Sequence, residues 1–501
     1  MHCTVLTGPP GCSKTARLLA RVVAQPGRHL IAAPRTSLLD ELAARLRQLA
    51  KAQGVTTSIR AVHSGQSQQG GVLRRLERTI RGCTTAQHVV VLATHEALVS
   101  LDPDLLADWH ISIDELIDTS VACGSFSAST SWSALARQYR LEPSGDTRWW
   151  RVMTREDVEP LSLGEINRGA SDQIAFHRLI RRGRPVYVDQ PEWEQARLAG
   201  QRVSWWSLWT VAELFGCASI TLASSSFSSS LMGMAHQHLH GEAIRFREER
   251  VGMDQLRARP LVRLHYYTRH RGSTTWWQTH EGSRCLVQIS RHLEQIAFAG
   301  YWSCNSTTQL AFLHRLRGRW CEPKLSGTNR LRDNAACAYI YSSKAQASDA
   351  PILELLGLDR AAVTRAREHE DVFQFVMRGA LRDPSYDGEY DVYLYSEDQA
   401  LALQRSLMAS GITDRVETIA VEEAGILSVV RPEARSPSTK ASRDERTVQE
   451  RRADEREAER LRGKGRRASA KALRVAAGTA RGPGRPKKVI AAAYGPDECQ
   501  R

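Results

Sequence analysis

The residues with the most specific chemistry stand at the start of the chain. Gly8-Pro9-Pro10-Gly11-Cys12-Ser13-Lys14-Thr15 follows the spacing G-x-x-x-x-G-K-[ST], with Ser13 where the pattern has its second glycine. In a loop of this kind successive backbone N–H groups point inward at the positive end of a helix, which suits the β- and γ-phosphates of a nucleotide. Lys14 then reaches the same oxygens and the Thr15 hydroxyl addresses Mg²⁺. Ser13 fits such a loop if its backbone is not at positive φ. About 100 residues further on, Trp109-His110-Ile111-Ser112-Ile113 ends in Asp114-Glu115. A carboxylate at a strand end beside the loop completes a Mg²⁺ shell, and the next Glu can orient or deprotonate an attacking water. Gln374, Arg378 and Arg382 fall at i, i+4 and i+8, so a helix through them carries an amide and two guanidiniums on one face. Such arginines are costly if buried alone, and phosphate oxygens would be suitable partners. His236, His238 and His240 alternate but lack a carboxylate or Cys at ligand spacing, which predicts a polar loop or surface strand rather than a metal centre.

These groups need a scaffold that brings strand ends together. Cys3–Thr7 reads as a β-strand entering the loop, and a helix starts at Ala16. Further strands are expected at 29–33, 57–62, 88–94 and 109–115, alternating with helices such as the one striped by Leu38, Leu39, Leu42, Leu46 and Leu49. This alternation predicts an α/β fold with a parallel, doubly wound sheet, whose strand carboxyl ends line a ligand crevice. Residues 119–201 break the pattern with Trp132, Trp149 and Trp150 and the basic run Arg178, Arg181, Arg182 and Arg184. They read as an insertion, its aromatics either packing a small core or stacking single-stranded bases. The alternation resumes over 202–245, and a second α/β unit spans 246–430, with strands at 261–267, 299–303, 336–341 and 390–395.

The 501 residues carry a formal charge of +14, unevenly placed: residues 431–501 hold 20 Lys and Arg against 10 Asp and Glu. A basic tail on a nearly neutral body suggests a polyanionic partner, most simply nucleic acid. The tail mixes charges without an apolar stripe, as expected of a largely disordered segment. Its run Arg481-Gly482-Pro483-Gly484-Arg485-Pro486-Lys487-Lys488 resembles an AT-hook, in which Gly-Arg-Pro lies in a narrow minor groove and Lys487 and Lys488 meet phosphates. The ten cysteines include no C-x-x-C pair, no basic n-region precedes an apolar stretch, and no membrane-length apolar run occurs. Reduced thiols and a cytoplasmic, nucleoid- or plasmid-associated protein are expected.

Taken together, the chain resembles the superfamily 2 DNA/RNA helicases of the DEAD/DEAH type, especially divergent plasmid and phage members, over residues 1 to 410. Gly8 to Thr15 look like motif I, Asp114-Glu115 like motif II and Pro34-Arg35-Thr36 like motif Ia. Thr94 begins a segment similar to one that contacts the nucleic-acid backbone. Ser224-Ser225-Ser226 takes the place of motif III, Gly327-Thr328-Asn329 with Asp333 that of motif V, and Gln374, Arg378 and Arg382 that of motif VI. The resemblance implies two RecA-like domains with ATP and Mg²⁺ in the cleft between them, and an arginine finger from the second domain. The family has a shorter step to its last Arg, so Arg378 and Arg382 compete for that role. It also implies cofactor contacts by the loop and Gly327, and nucleic-acid contacts by Pro34, Arg35, Thr36, Thr94, Thr328 and Asn329. DNA is expected over RNA. A P-loop regulatory switch binding DNA through its tail, and a helicase fold kept only as a DNA-binding scaffold, are the competing readings.

Overall fold

The structure is a computed structural model, and it describes residues 2–65, 71–117, 121–159, 162, 166, 170–198, 200–225, 227–252, 257–324, 330–344 and 349–431. In chain order the strands are β1 (His2–Thr7), β2 (Arg28–Ala33), β3 (Ser58–Ala61), β4 (Val89–Thr94), β5 (His110–Asp114), β6 (Val121–Phe126), β7 (Tyr139–Glu142), β8 (Trp149–Thr154) and β9 (Val186–Asp189). They continue as β10 (Val203–Leu208), β11 (Ser219–Ala223), β12 (Arg245–Arg250), β13 (Leu261–Thr268), β14 (Tyr301–Cys304), β15 (Arg319–Trp320), β16 (Ala336–Ile340), β17 (Glu389–Ser396) and β18 (Val416–Ala420).

Two parallel sheets, each flanked by helices, form two α/β domains. The first has the order β12-β1-β11-β5-β2-β4-β3. Its inner strands are covered on both faces, which is why β2 and β4 read as unbroken apolar runs. The helices Lys14–Ala24 and Thr36–Ala52 cover one face through Leu18, Leu19, Leu39, Leu42 and Leu46; Leu76, Ile80, Leu98 and Trp109 belong to the cluster on the other. Leu6 pairs with Ala223 of β11, and Ala223 with Asp114 of β5, so the Gly8–Thr15 loop and the acidic pair leave the sheet at one level. One strand, β11, separates them.

The second sheet runs β15-β14-β16-β17-β13-β18, also wholly parallel. Between β5 and β11 the insertion folds as an antiparallel sheet, β6-β10-β9-β8-β7. It extends past the expected residue 201, because β10 pairs along β6 up to Leu208. Likewise β12 pairs with β1 as an edge strand of the first sheet, straddling the expected domain start at 246.

One local expectation is corrected, and one alternative is decided in favour of packing. Leu231–His240 is a helix, not a loop or surface strand; Nε2 of buried His236 accepts from the Val211 N–H at 2.9 Å and His240 bonds Thr210 at 2.9 Å, so the two imidazoles pin this helix to the chain after β10. The insertion's tryptophans pack: Trp149 joins Tyr187, Trp206, Leu355 and Leu356 in one cluster, and its Nε1 donates to Glu354 of the second domain at 2.9 Å. Trp132 meets Trp193 edge-on, and buried Arg184 is held by Glu213 and the Val99 carbonyl. Among the described residues no helix is long and apolar enough to cross a membrane, and no group of three or more His, Cys, Asp or Glu could hold a metal. The tail beyond Arg431, with Arg485, Lys487 and Lys488, lies outside the described residues.

Candidate active site

The loop after β1 turns at Pro9–Cys12, closed by the Cys12 N–H donating to the Pro9 carbonyl at 3.2 Å. Gly8 and Gly11 sit at φ 147° and 87°. A Cβ on Gly8 would stand 2.5 Å from the Val251 carbonyl oxygen, and one on Gly11 would stand 3.0 Å from Arg382 Cγ. Glycine is therefore demanded both by dihedral and by the approach of neighbouring chain. Ser13 overturns its expectation: it is at φ 68°, ψ 25°, the left-handed region, with no side-chain capping bond to the helix it precedes. Lys14 folds back on the loop, Nζ donating to the Gly8 carbonyl at 2.6 Å and the Pro9 carbonyl at 3.0 Å. Burial holds its pKa below the usual ammonium value, against the opposing pull of Cys12, Asp114 and Glu370.

Asp114 is 4% exposed, and its Oδ1 accepts from Thr15 Oγ1 at 2.9 Å. Burial pushes its carboxyl pKa up, while the Thr15 bond and the Lys14 and Arg45 charges oppose that. His95, directly after Thr94, donates from Nε2 to the Asp114 carbonyl at 3.0 Å and ties the ends of β4 and β5. Glu115 turns into the left-handed region at φ 66° and its N–H donates to Ala223 at 3.0 Å. That turn leaves its carboxylate at the cleft, beside Asp114.

From the second domain a helical stretch enters as α over Arg360–Thr364, π over Arg365–His369 and α over Glu370–Val376. It ends before Arg378, so Gln374, Arg378 and Arg382 do not share one helical face as expected. Beyond it the chain passes close to Tyr390 and Asn334 at Gly379, where a Cβ would stand 2.1 Å from Tyr390 Oη and 2.8 Å from the Asn334 carbonyl. Asn334 O instead takes the Ala380 N–H at 2.9 Å, and Ala380–Arg382 forms a 3₁₀ turn. Arg382 thereby packs its backbone and Cγ on Gly11. Arg378 is 9% exposed, and its buried Nε has no hydrogen-bond partner among the described residues. An orphaned buried guanidinium N–H calls for an anionic partner. Burial lowers the pKa of both arginines, with the Glu115 charge opposing.

These groups line one cleft of about 680 Å³ between the domains. Across it Gln374 Nε2 donates to Ser225 Oγ and to Glu370 Oε1, each at 2.8 Å, and Ser225 Oγ donates to Glu370 Oε1 at 3.0 Å. Arg35 also crosses the cleft, bonding the Lys324 carbonyl and standing 3.6 Å from Glu322. Pro34 lines the cleft beside it, and Thr36 opens the following helix. Thr94 caps the short helix His95–Ser100 by accepting from the Ala97 N–H. Gly327, Thr328, Asn329 and Ser226 lie outside the described residues. Glu370 and Arg45 were not anticipated: Glu370 stands one turn before Gln374, a spacing that could have signalled it, whereas nothing in the helix carrying Arg45 marks it among surface arginines.

No protein-family model and no curated protein matches this chain. Among solved structures, one titled XPD apo is similar at 10% identity, covering 84% of this chain and 97% of that one, with a TM-score of 0.47. S. tokodaii Xpd4 is similar at 12% identity, covering 83% and 96%, with a TM-score of 0.44. A DEAD box protein from Methanococcus jannaschii is similar at 8% identity, covering 84% and 88%, with a TM-score of 0.28. What this chain can do therefore follows from its own side chains.

Proposed function

We propose that this chain is a nucleic-acid-dependent ATPase of the superfamily 2 helicase type, moving along or remodelling DNA by opening and closing its two-domain cleft. The observation that carries the reading is the meeting, in one cleft, of the phosphate loop and acidic pair of the first domain with Gln374, Arg378 and Arg382 of the second. A nucleotide switch acting through one domain has no need of that second set. Gly8, Gly11 and the N–H groups through Thr15 would cradle the phosphates, and Lys14 would leave the loop carbonyls for their oxygens. Thr15 and Asp114, already in contact through hard oxygens, would hold Mg²⁺. When bound, Mg²⁺ neutralises charge on the β- and γ-phosphates. Glu115 would orient and deprotonate water, and Gln374 would sense the γ-phosphate. Arg378 and Arg382 would stabilise transition-state charge together. Arg35 and Thr94, with Pro34, Thr36, Thr328 and Asn329, are proposed to lie toward the nucleic-acid track, with the basic tail raising local DNA concentration.

The test is phosphate release with single-stranded DNA, double-stranded DNA, RNA or none, comparing the parent with Lys14→Ala and Arg382→Ala. Strong stimulation by one polymer, lost in both variants, is expected. Hydrolysis that ignores nucleic acid, or survives Arg382→Ala, would overturn the motor and favour a P-loop switch.

A further inference from the structure

The regulation of this cleft can be carried one step further, resting on the reading above. Glu370 begins the α-helical turn that carries Gln374. One carboxylate oxygen, Oε1, accepts from Ser225 Oγ at 3.0 Å and from Gln374 Nε2 at 2.8 Å, while Gln374 also donates to Ser225 Oγ at 2.8 Å. Ser225 follows β11 of the first domain, so this triangle bridges the two domains. Glu370 has no ion pair with Arg or Lys among the described residues, although its charge acts on Lys14. A carboxylate held by a hydroxyl and an amide, within the field of the loop lysine, is bound as a phosphate oxygen would be.

We propose that Glu370 is a positioning residue that competes with the γ-phosphate of a nucleoside triphosphate for Ser225 and Gln374. The two donors turn to the phosphate only as the carboxylate withdraws, because two like-charged anions repel at one half-buried pair of neutral donors. A diphosphate brings no γ-phosphate and leaves the triangle closed. Glu370 thus makes the interdomain contact answer to the third phosphate, and its like charge lowers triphosphate affinity selectively.

The test is equilibrium binding to the full chain, with Mg²⁺, of a fluorescent non-hydrolysable ATP analogue and of the matching ADP analogue. Glu370→Gln keeps an oxygen to accept the same bonds and removes the charge. It should tighten triphosphate binding by about tenfold and leave diphosphate binding unchanged. Glu370→Asp, which keeps the charge, should return the triphosphate-to-diphosphate ratio toward the parent, and melting curves establish that both variants are folded. An unchanged ratio in a folded Glu370→Gln, or an equal shift for both nucleotides, overturns the proposal. Should the parent bind neither nucleotide, or bind them undiminished after Lys14→Ala, the ATPase reading itself falls and this inference with it. Normal parent binding, lost in Lys14→Ala, with an unmoved ratio in Glu370→Gln sinks the Glu370 role alone.

Discussion

Ser13→Gly should stabilise the chain, although it removes a side chain from the centre of the phosphate loop. Ser13 is held at φ 68°, ψ 25°. For an L-residue with a Cβ the left-handed region costs about 1–2 kcal/mol, which glycine does not incur. The hydroxyl offers little in return, since Ser13 is exposed and makes no cap bond. Glycine's greater freedom in the unfolded chain gives back about 0.5–1 kcal/mol. The net expectation is a gain of about 0.5–1 kcal/mol, which for a domain of this size raises the melting temperature by roughly 1–4 °C. Thermal scanning and urea midpoints of Ser13→Gly, Ser13→Ala and Ser13→Val would measure it. Ser13→Ala keeps the strained Cβ and should change little, whereas Ser13→Val adds χ1 crowding and should lose about 1 kcal/mol or more. A lower midpoint for Ser13→Gly, or a loss beyond about 0.5 kcal/mol for Ser13→Ala, would show that the hydroxyl is bonded and refute the reasoning.

Acid should weaken the fold before most carboxylates protonate. Burial holds His29 and His177 down to about 4 and His236 to about 3, so each is neutral when folded. A base with a depressed folded pKa gives stability that is present above its unfolded value of about 6.5 and is lost as pH falls toward 4, at most about 3–4 kcal/mol per group. Urea midpoints between pH 7 and pH 4 should fall, and His177→Gln, which keeps an acceptor for Tyr139, should flatten the slope; a flat parent profile contradicts this. Trp149→Phe loses part of the indole packing and the bond to exposed Glu354, so it should cost about 1–2 kcal/mol, against about 3–5 for Trp149→Ala, measured by chemical unfolding. Gly379→Ala forces a methyl onto Tyr390 Oη and should destabilise by about 1–3 kcal/mol. It should also displace Arg382 and abolish hydrolysis more than nucleotide binding; equal loss of both, or of neither, would argue against that placement.

The parallel α/β architecture was legible because its signal is local. Strands buried on both faces must be apolar, so the Leu30–Ala33 stretch of β2 and all but the end of β4 announce themselves as runs, and the loop after β1 carries its own spacing. Asp114-Glu115 was legible only jointly with that loop, since a strand ending in carboxylates is common. What sequence left hidden depends on partners distant along the chain. The helix Leu231–His240 looked like alternating polar residues because the groups that hold His236 and His240, Val211 and Thr210, lie about thirty residues earlier. Trp149 could be read as a base-stacking residue or as core until Leu355, Leu356 and Glu354 from the second domain were seen on it. The break at Gly379 was equally hidden, as Tyr390 and Asn334 approach it from outside the helix.

The chain's two departures from the motif patterns meet at one point in space. In place of the loop's second glycine stands Ser13, and the step from Arg378 to Arg382 is longer than in the motif the chain resembles. A continuous helix would spread Gln374, Arg378 and Arg382 along about 12 Å of axis and turn the last arginine away from the first domain. The helix instead ends at Val376, and beyond Gly379 the 3₁₀ turn, with Arg257 donating to the Leu381 carbonyl at 2.7 Å, lays Arg382 on Gly11. The longer step is thus taken up in the break. On the facing side, the left-handed Ser13 lets the loop keep its inward curl and begin its helix at Lys14. Each departure is local strain or local reversal, and Lys14, Arg378 and Arg382 still line one cleft.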